Sequence, residues 1–247
     1  STGVRSDAKS LCEMAHAAGC LTIVDCVTSL VGCEVDVDGW GADVVYSGTQ
    51  KCLSCAPGLS PFTMSERAAS LTQTRKAPVP SWFLDMNLVM GYWGAGSTRA
   101  YHHTAPVNAL YGLHEALLMA TEEGLSAAWA RHAQNHEALK AGLEAMGLRF
   151  FVPESERLAQ LNLVEVPAGV DEALIRRALL GSYNLEIGAG LGPLAGKVWR
   201  IGLMGYASRP ENVLLCVSAL EAVLAQSNAS IHRGQAIDAV QSVYASA

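Results

Sequence analysis

The chain has 247 residues, half of them hydrophobic, with a formal net charge of −6 at pH 7. That length and apolar content support a large core and one or two domains. The acidic balance, with no basic stripe, argues against nucleic acid as a partner. No apolar run reaches the roughly 18 residues of a membrane-spanning helix, which argues against a membrane, and no signal-peptide pattern opens the chain.

In chain order, residues 7–18 predict a helix with Leu11, Met14, Ala15 and Ala18 as its apolar stripe and Gly19 as its stop. The β-branched run at 21–25 predicts a buried strand ending in Asp25. Residues 36–41 are turn-rich, and 43–47 predict a second strand that runs into the loop carrying Lys51. Pro57-Gly58 then turns the chain into a strand at 59–64, and Ser65 caps a helix to about residue 75. A short helix at 85–93 and a flexible connection at 94–97 lead to Tyr101-His102-His103-Thr104. Thr104 and Pro106 suit an N-cap and an early helix position; the helix carries Leu110, Leu113 and Leu117 on one face and breaks at Gly124. The next helix aligns Leu125, Trp129, Leu139, Leu143 and Met146. Strands are predicted at 148–152, 161–166, 185–187 and 198–203, helices at 171–180 and 210–225, and a last helix in the tail. The expected fold class is α/β: a large, mostly parallel-sheet domain over 1–124 and a small C-terminal α+β domain over 125–247.

Lys51 has no other lysine between Lys9 and Lys76, and it follows a buried strand. A lysine there snorkels to the sheet edge or is used. Asp25 ends the neighbouring strand, at the mouth where open α/β sheets bind ligands. An amine and a carboxylate at one sheet edge suit pyridoxal 5'-phosphate: the lysine forms a Schiff base, and the aspartate keeps the pyridine nitrogen protonated. Asp25 also suits a helix N-cap. Gln50 and Thr49 can donate to a phosphate or serve as turn polar groups satisfied by backbone. Tyr101 and Thr104, three residues apart, can donate to one cluster of phosphate oxygens. Arg200, in an apolar strand, calls for a carboxylate, whether a ligand's or a structural partner's.

The stretches Asp25-Cys26-Val27-Thr28-Ser29-Leu30, Asp38-Gly39-Trp40-Gly41-Ala42-Asp43, Ser47-Gly48-Thr49-Gln50-Lys51 and Ala56-Pro57-Gly58 resemble class V aminotransferases, nearest the alanine–glyoxylate and serine–pyruvate branch. The likeness continues through Tyr101-His102-His103-Thr104-Ala105-Pro106, Gly190-Leu191-Gly192-Pro193 and Arg200-Ile201-Gly202, to about Gln226. The resemblance implies the pyridoxal-phosphate transferase fold of type I, with Lys51 as the catalytic Schiff-base lysine and Asp25 on the ring nitrogen. It further implies Val27 packed on the ring face, Gln50 and Thr49 at the phosphate, and Arg200 on the substrate carboxylate. Tyr101 and Thr104 would reach across a homodimer interface into the partner's site. It implies a small amino acid, alanine or serine, as donor and a 2-oxo acid, glyoxylate or pyruvate, as acceptor. In that family the phosphate-binding glycine turn and the aromatic stacked on the ring precede the residues seen here, so a missing first part of the large domain is expected.

Seven cysteines, an odd number in apolar surroundings, suggest free thiols in a reducing, cytoplasmic setting. Cys52-x-x-Cys55 lacks a second half for zinc, and His132 with His136 lacks a third ligand, so no metal is expected; the two histidines read as semi-exposed. Gly188-Ala189-Gly190-Leu191-Gly192-Pro193 imitates a dinucleotide loop, but a proline and a strand follow where a helix is needed. The rival readings are a cysteine desulfurase or other class V lyase, and a non-catalytic remnant of the fold. Cys216, the only cysteine after Cys55, sits in an apolar helix stripe and does not suit a desulfurase's mobile loop.

Overall fold

The computed structural model describes residues 1–93, 100–227 and 229–246. The connection expected at 94–97 lies outside them. Among the described residues, two small sheets organise the chain. In the first, β1 (Ile23–Asp25) runs parallel to β2 (Val44–Tyr46), and β3 (Phe62–Met64) is antiparallel to β2. The helix α1 (Ala8–Ala17) begins where Asp7 accepts from the Ser10 N–H at 3.1 Å and the Ser10 hydroxyl at 2.6 Å. It ends ahead of Gly19 at φ 75°. Its buried residue is Cys12, packed with Cys26, Ala42 and Val45. Leu11 and Met14, expected on the apolar stripe, are exposed, because the sheet is met by the adjoining face.

Asp43 fastens this unit. Its buried carboxylate accepts from the Thr22 N–H at 3.0 Å, the Ser65 hydroxyl at 3.0 Å and His16 Nε2 at 2.8 Å, with Arg67 at 3.5 Å. Burial works to raise its pKa, but these hydrogen bonds and the Arg67 charge outweigh it and hold the carboxyl below the usual range. Helices α1 and α2 (Glu66–Gln73, capped by Ser65) and strands β1 and β2 are thereby tied at one point.

After α3 (Met86–Trp93), α4 (Val107–Glu123) begins at Pro106, which itself takes the cap position. Thr104 therefore does not cap the helix, and its hydroxyl bonds to Tyr101 instead. Gly124 at φ 83° separates α4 from α5 (Leu125–Ala145). The early turns of α5 place Ala128 against Val31, Cys52 and Leu53 beside the lysine loop. Its later turns bury Leu139, Leu143 and Met146 in the main core.

That core covers the second sheet, whose order is β4 (Leu161–Glu165), β6 (Val198–Gly202), β5 (Gly188–Ala189), all antiparallel. Helices α6 (Glu172–Tyr183), α7 (Pro210–Gln226) and α8 (Ala236–Ala245) enclose Trp199, Leu179, Leu220 and Leu224. Each such side chain contributes about 1.5–3 kcal/mol on burial. Two expected strands are absent as drawn. Residues 148–152 form only a single bridge, Phe150 to Val164, before Pro153, which has no N–H to extend it. The strand expected at 185–187 lies instead at Gly188–Ala189, where Gly188 faces Arg200 and a Cβ would come 3.3 Å from its guanidinium. His132 and His136, read as semi-exposed, are both buried: Nδ1 of the first bonds to Ala128 O at 2.6 Å and Nδ1 of the second to Asn162 Oδ1 at 2.6 Å. No helix among the described residues is long and apolar enough to cross a membrane.

Candidate active site

The parallel register sets Asp25 opposite Tyr46 at the carboxyl ends of β1 and β2. Asp25 Oδ1 accepts from the Val27 N–H at 2.8 Å, and Oδ2 accepts from the Tyr46 hydroxyl at 2.8 Å. This hydrogen bond, and secondarily burial, raises the Tyr46 pKa, so the phenol stays a donor. Each Asp25 oxygen keeps acceptor capacity for a further N–H.

Beyond β2 the chain closes a tight loop around Lys51. The Cys55 N–H donates to Thr49 O at 3.0 Å and the Ser54 N–H to Lys51 O at 2.9 Å. The buried Thr49 hydroxyl donates to Ala56 O at 2.7 Å, with Leu59 O at 3.3 Å. Its one proton is thus spent on the loop's own backbone, and Thr49 is not available here to a phosphate. Gln50 is exposed. The Lys51 amine has no ion pair among the described residues.

A cleft of about 1210 Å³ brings together Asp25, Val27, Trp40, Lys51, Arg200 and Met204. Arg200 enters from β6, where its Nε donates to Ala189 O at 2.7 Å and fixes the fork. It makes no ion pair among the described residues, so its outer N–H groups are left for a carboxylate from elsewhere. A second sheet therefore delivers a cation to the edge that carries Asp25 and Lys51. Among the residues read from sequence, the cleft gathers Asp25, Val27, Lys51 and Arg200; it does not include Thr49, Gln50, Tyr101 or Thr104.

Tyr101, 73% exposed, bonds to Thr104 outside the cleft. Beside them, His102 stacks on Trp82 with ring centroids 4.2 Å apart and is buried. Sequence reasoning passed over two residues. Tyr46 was visible only as a strand residue; its signal is the shared register with Asp25. Asp43 reads as the start of a strand, and nothing local in the sequence marks it as the junction of two helices and two strands. Cys216 is buried in α7, and burial pushes its thiol up to about 12.

Comparison with known proteins places these features in context. The family model for class-V aminotransferases matches residues 1–213. The (S)-ureidoglycine–glyoxylate transaminase of Bacillus subtilis is 40% identical over 100% of this chain and 63% of its own length. The crystal structure of the Bacillus subtilis ureidoglycine–glyoxylate aminotransferase superposes with a TM-score of 0.95, covering 99% of this chain and 63% of that one. An alanine–glyoxylate aminotransferase from Nostoc sp. is 50% identical, with a TM-score of 0.87 over 91% of this chain and 59% of that one. The alanine–glyoxylate aminotransferase of Felis catus is 40% identical over 91% of this chain and 55% of its own length. The chain thus spans 55% to 63% of the length of these curated relatives.

Proposed function

Since the chain belongs to the class V aminotransferase family, within fold type I of the pyridoxal-phosphate-dependent transferases, we propose that it bears the lysine of a pyridoxal 5'-phosphate site and moves an amino group from a small amino acid to glyoxylate. The observation that carries this reading is the single cleft in which Asp25, Val27, Lys51 and Arg200 meet from separate parts of the chain. Glyoxylate is named in the transaminase from Bacillus subtilis and in the alanine–glyoxylate enzymes alike. The donor differs between them, so alanine, serine and ureidoglycine are the candidates, with pyruvate as a second acceptor.

The residues present fit the cofactor. Asp25 offers acceptor capacity at both oxygens for a protonated ring nitrogen, and Val27 offers an apolar surface beside it. Pyridoxal phosphate, when bound, supplies an aldehyde for amines to condense with and a cationic ring that draws electron density from the substrate Cα. Lys51 would hold the cofactor's aldehyde group, and its Nζ would take the proton from the substrate Cα as base and return one as acid. Arg200 grips the α-carboxylate bidentately and so aims the Cα–H bond. Gln50 is assigned to the phosphate, and Thr49 shapes the loop that holds Lys51.

Tyr101 and Thr104 lie outside their own chain's cleft. This supports a homodimer in which the pair completes the partner's phosphate site. We further assign residues 1–124 to the cofactor-binding part and 125–247 to the smaller domain, with Gly124 as the junction.

Borohydride reduction of the full chain with pyridoxal phosphate, followed by peptide mass spectrometry, tests the reading. The adduct is expected on Lys51 and absent in Lys51→Ala. An adduct on Lys76 or another lysine, or none, overturns it. Assays pairing alanine, serine and ureidoglycine with glyoxylate and pyruvate then identify the substrates.

A further inference from the structure

Lys51 lies in the loop that follows the first sheet and Arg200 in the second sheet, and a chain of short contacts joins the two segments away from the cleft. Ser54, in the lysine loop, adopts φ 56°, a left-handed conformation unfavourable for a residue with a Cβ. Its Oγ accepts from the Tyr206 N–H at 2.7 Å, across 152 residues of sequence. Gly205, at φ 55°, lies directly on this loop: a Cβ there would come 2.0 Å from Ser54 Oγ and 2.5 Å from Cys52 O. Gly205 follows β6, the strand that bears Arg200. The segment Gly205–Ala207 therefore couples the arginine's strand to the lysine's loop.

Both backbone groups of Gly205 are held by α5. Its N–H donates to His132 Nε2 at 2.8 Å, and its carbonyl accepts from Arg131 Nη1 at 2.8 Å. Arg131 also donates to Ser208 O at 2.9 Å, and its Nε and Nη2 bond to Glu123 at 2.5 and 2.8 Å. The other imidazole nitrogen, Nδ1, is 2.6 Å from Ala128 O. A carbonyl only accepts, so Nδ1 carries the proton and Nε2 is left as the acceptor. His132 is fully buried, and burial lowers its pKa, which maintains the neutral ring that this arrangement needs. A buried histidine on a helix interior is costly unless both nitrogens are used, and here one of them is used 73 residues away.

We propose that His132 is a positioning residue: through Gly205 and Ser54 it sets the Lys51 loop in register with the Arg200 strand. This rests on the roles of Lys51 and Arg200 proposed above. The register matters because Arg200 would fix the substrate carboxylate while Lys51 must reach the adjoining Cα proton, and a displacement near 1 Å costs about a hundredfold in rate.

Three variants of the full chain test it. His132→Leu removes the acceptor, His132→Gln supplies an amide oxygen in its place, and Ser54→Ala cuts the link from the loop side without touching α5. Amide hydrogen exchange at Gly205 and Tyr206, measured without cofactor, reads the latch itself. Steady-state kinetics with alanine and glyoxylate read its consequence, alongside the pyridoxal-phosphate dissociation constant. In His132→Leu, exchange at Gly205 should accelerate about tenfold or more, as expected for loss of a buried hydrogen bond of about 1.4 kcal/mol. kcat should fall about ten- to a hundredfold with cofactor binding unchanged. Ser54→Ala should accelerate exchange at Tyr206 and lower kcat likewise, and His132→Gln should recover most of the loss. Unaltered Gly205 exchange in His132→Leu, or a glutamine variant as impaired as the leucine one, overturns the proposal. So does unaltered kcat in Ser54→Ala, which also decides the matter where His132→Leu fails to fold. Failure of the unmodified protein to transaminate overturns the functional reading instead; the exchange measurement still decides whether His132 holds the latch.

Discussion

Tyr46 stands opposite Asp25 in the parallel pairing of β1 and β2, and its hydroxyl donates to the Asp25 carboxylate at 2.8 Å. Together with the Val27 N–H at the other oxygen, this pairing orients an exposed anion at the sheet edge. Tyr46→Phe keeps the ring and removes the donor. The dissociation constant for pyridoxal phosphate should rise about tenfold, the equivalent of one hydrogen bond to a charged group. Borohydride should still trap the cofactor on Lys51. Spectrophotometric titration measures the first, and an unchanged affinity would show that Val27 N–H alone orients Asp25.

Arg200 has its fork fixed by Ala189 O, and its outer N–H groups make no ion pair among the described residues. Arg200→Ala should cost about 2–4 kcal/mol in kcat/KM for amino acids. Amines without a carboxylate should lose far less, and cofactor affinity should hold. Equal losses for both substrate classes would remove Arg200 from the carboxylate site.

The exposed Tyr101–Thr104 pair leads to a complementation experiment. The variants Lys51→Ala and Tyr101→Phe with Thr104→Ala should each be severely impaired as homodimers, and that impairment is established first. A mixed dimer combines both defects in one site and leaves the other intact. Refolding the two together should restore activity that neither shows alone. If mass spectrometry finds mixed dimers and activity stays at the parental average, Lys51 and Tyr101 serve the same subunit's site.

Asp43 links stability to pH. Its folded-state pKa is depressed, so its contribution is fully present above the unfolded value of about 3.9 and is lost as pH falls through the folded value. Asp43→Asn should destabilise the protein by about 2–4 kcal/mol near neutrality. The difference from the unmodified protein should shrink below about pH 3.9. Denaturant unfolding at a series of pH values measures this; a difference that stays constant down to pH 2 would mean that packing, and not charge, is lost.

Local chemistry made much of this molecule legible in advance. Caps at Asp7, Ser65 and Asp171 mark helix starts, because a side-chain oxygen next to orphaned N–H groups is a short-range event written in adjacent residues. Asp25 and Lys51 were also legible, since each follows a β-branched run and both strands run the same way. The cap expected at Thr104 failed on a choice between neighbours, with proline taking the boundary and Tyr101 taking the hydroxyl. What the chain order could not decide was which polar group meets which across the fold. Thr49 spends its proton on its own loop, Gly188 lies opposite Arg200, where a Cβ would come 3.3 Å from the guanidinium, and His132 reaches Gly205 from another element. Each of these contacts is short-ranged in space, and that of His132 spans 73 residues of sequence. Local sequence determined where helices are capped and strands end; only tertiary packing determined that Asp25, Val27, Lys51 and Arg200 line one cleft while Thr49 and His132 are engaged in holding the fold.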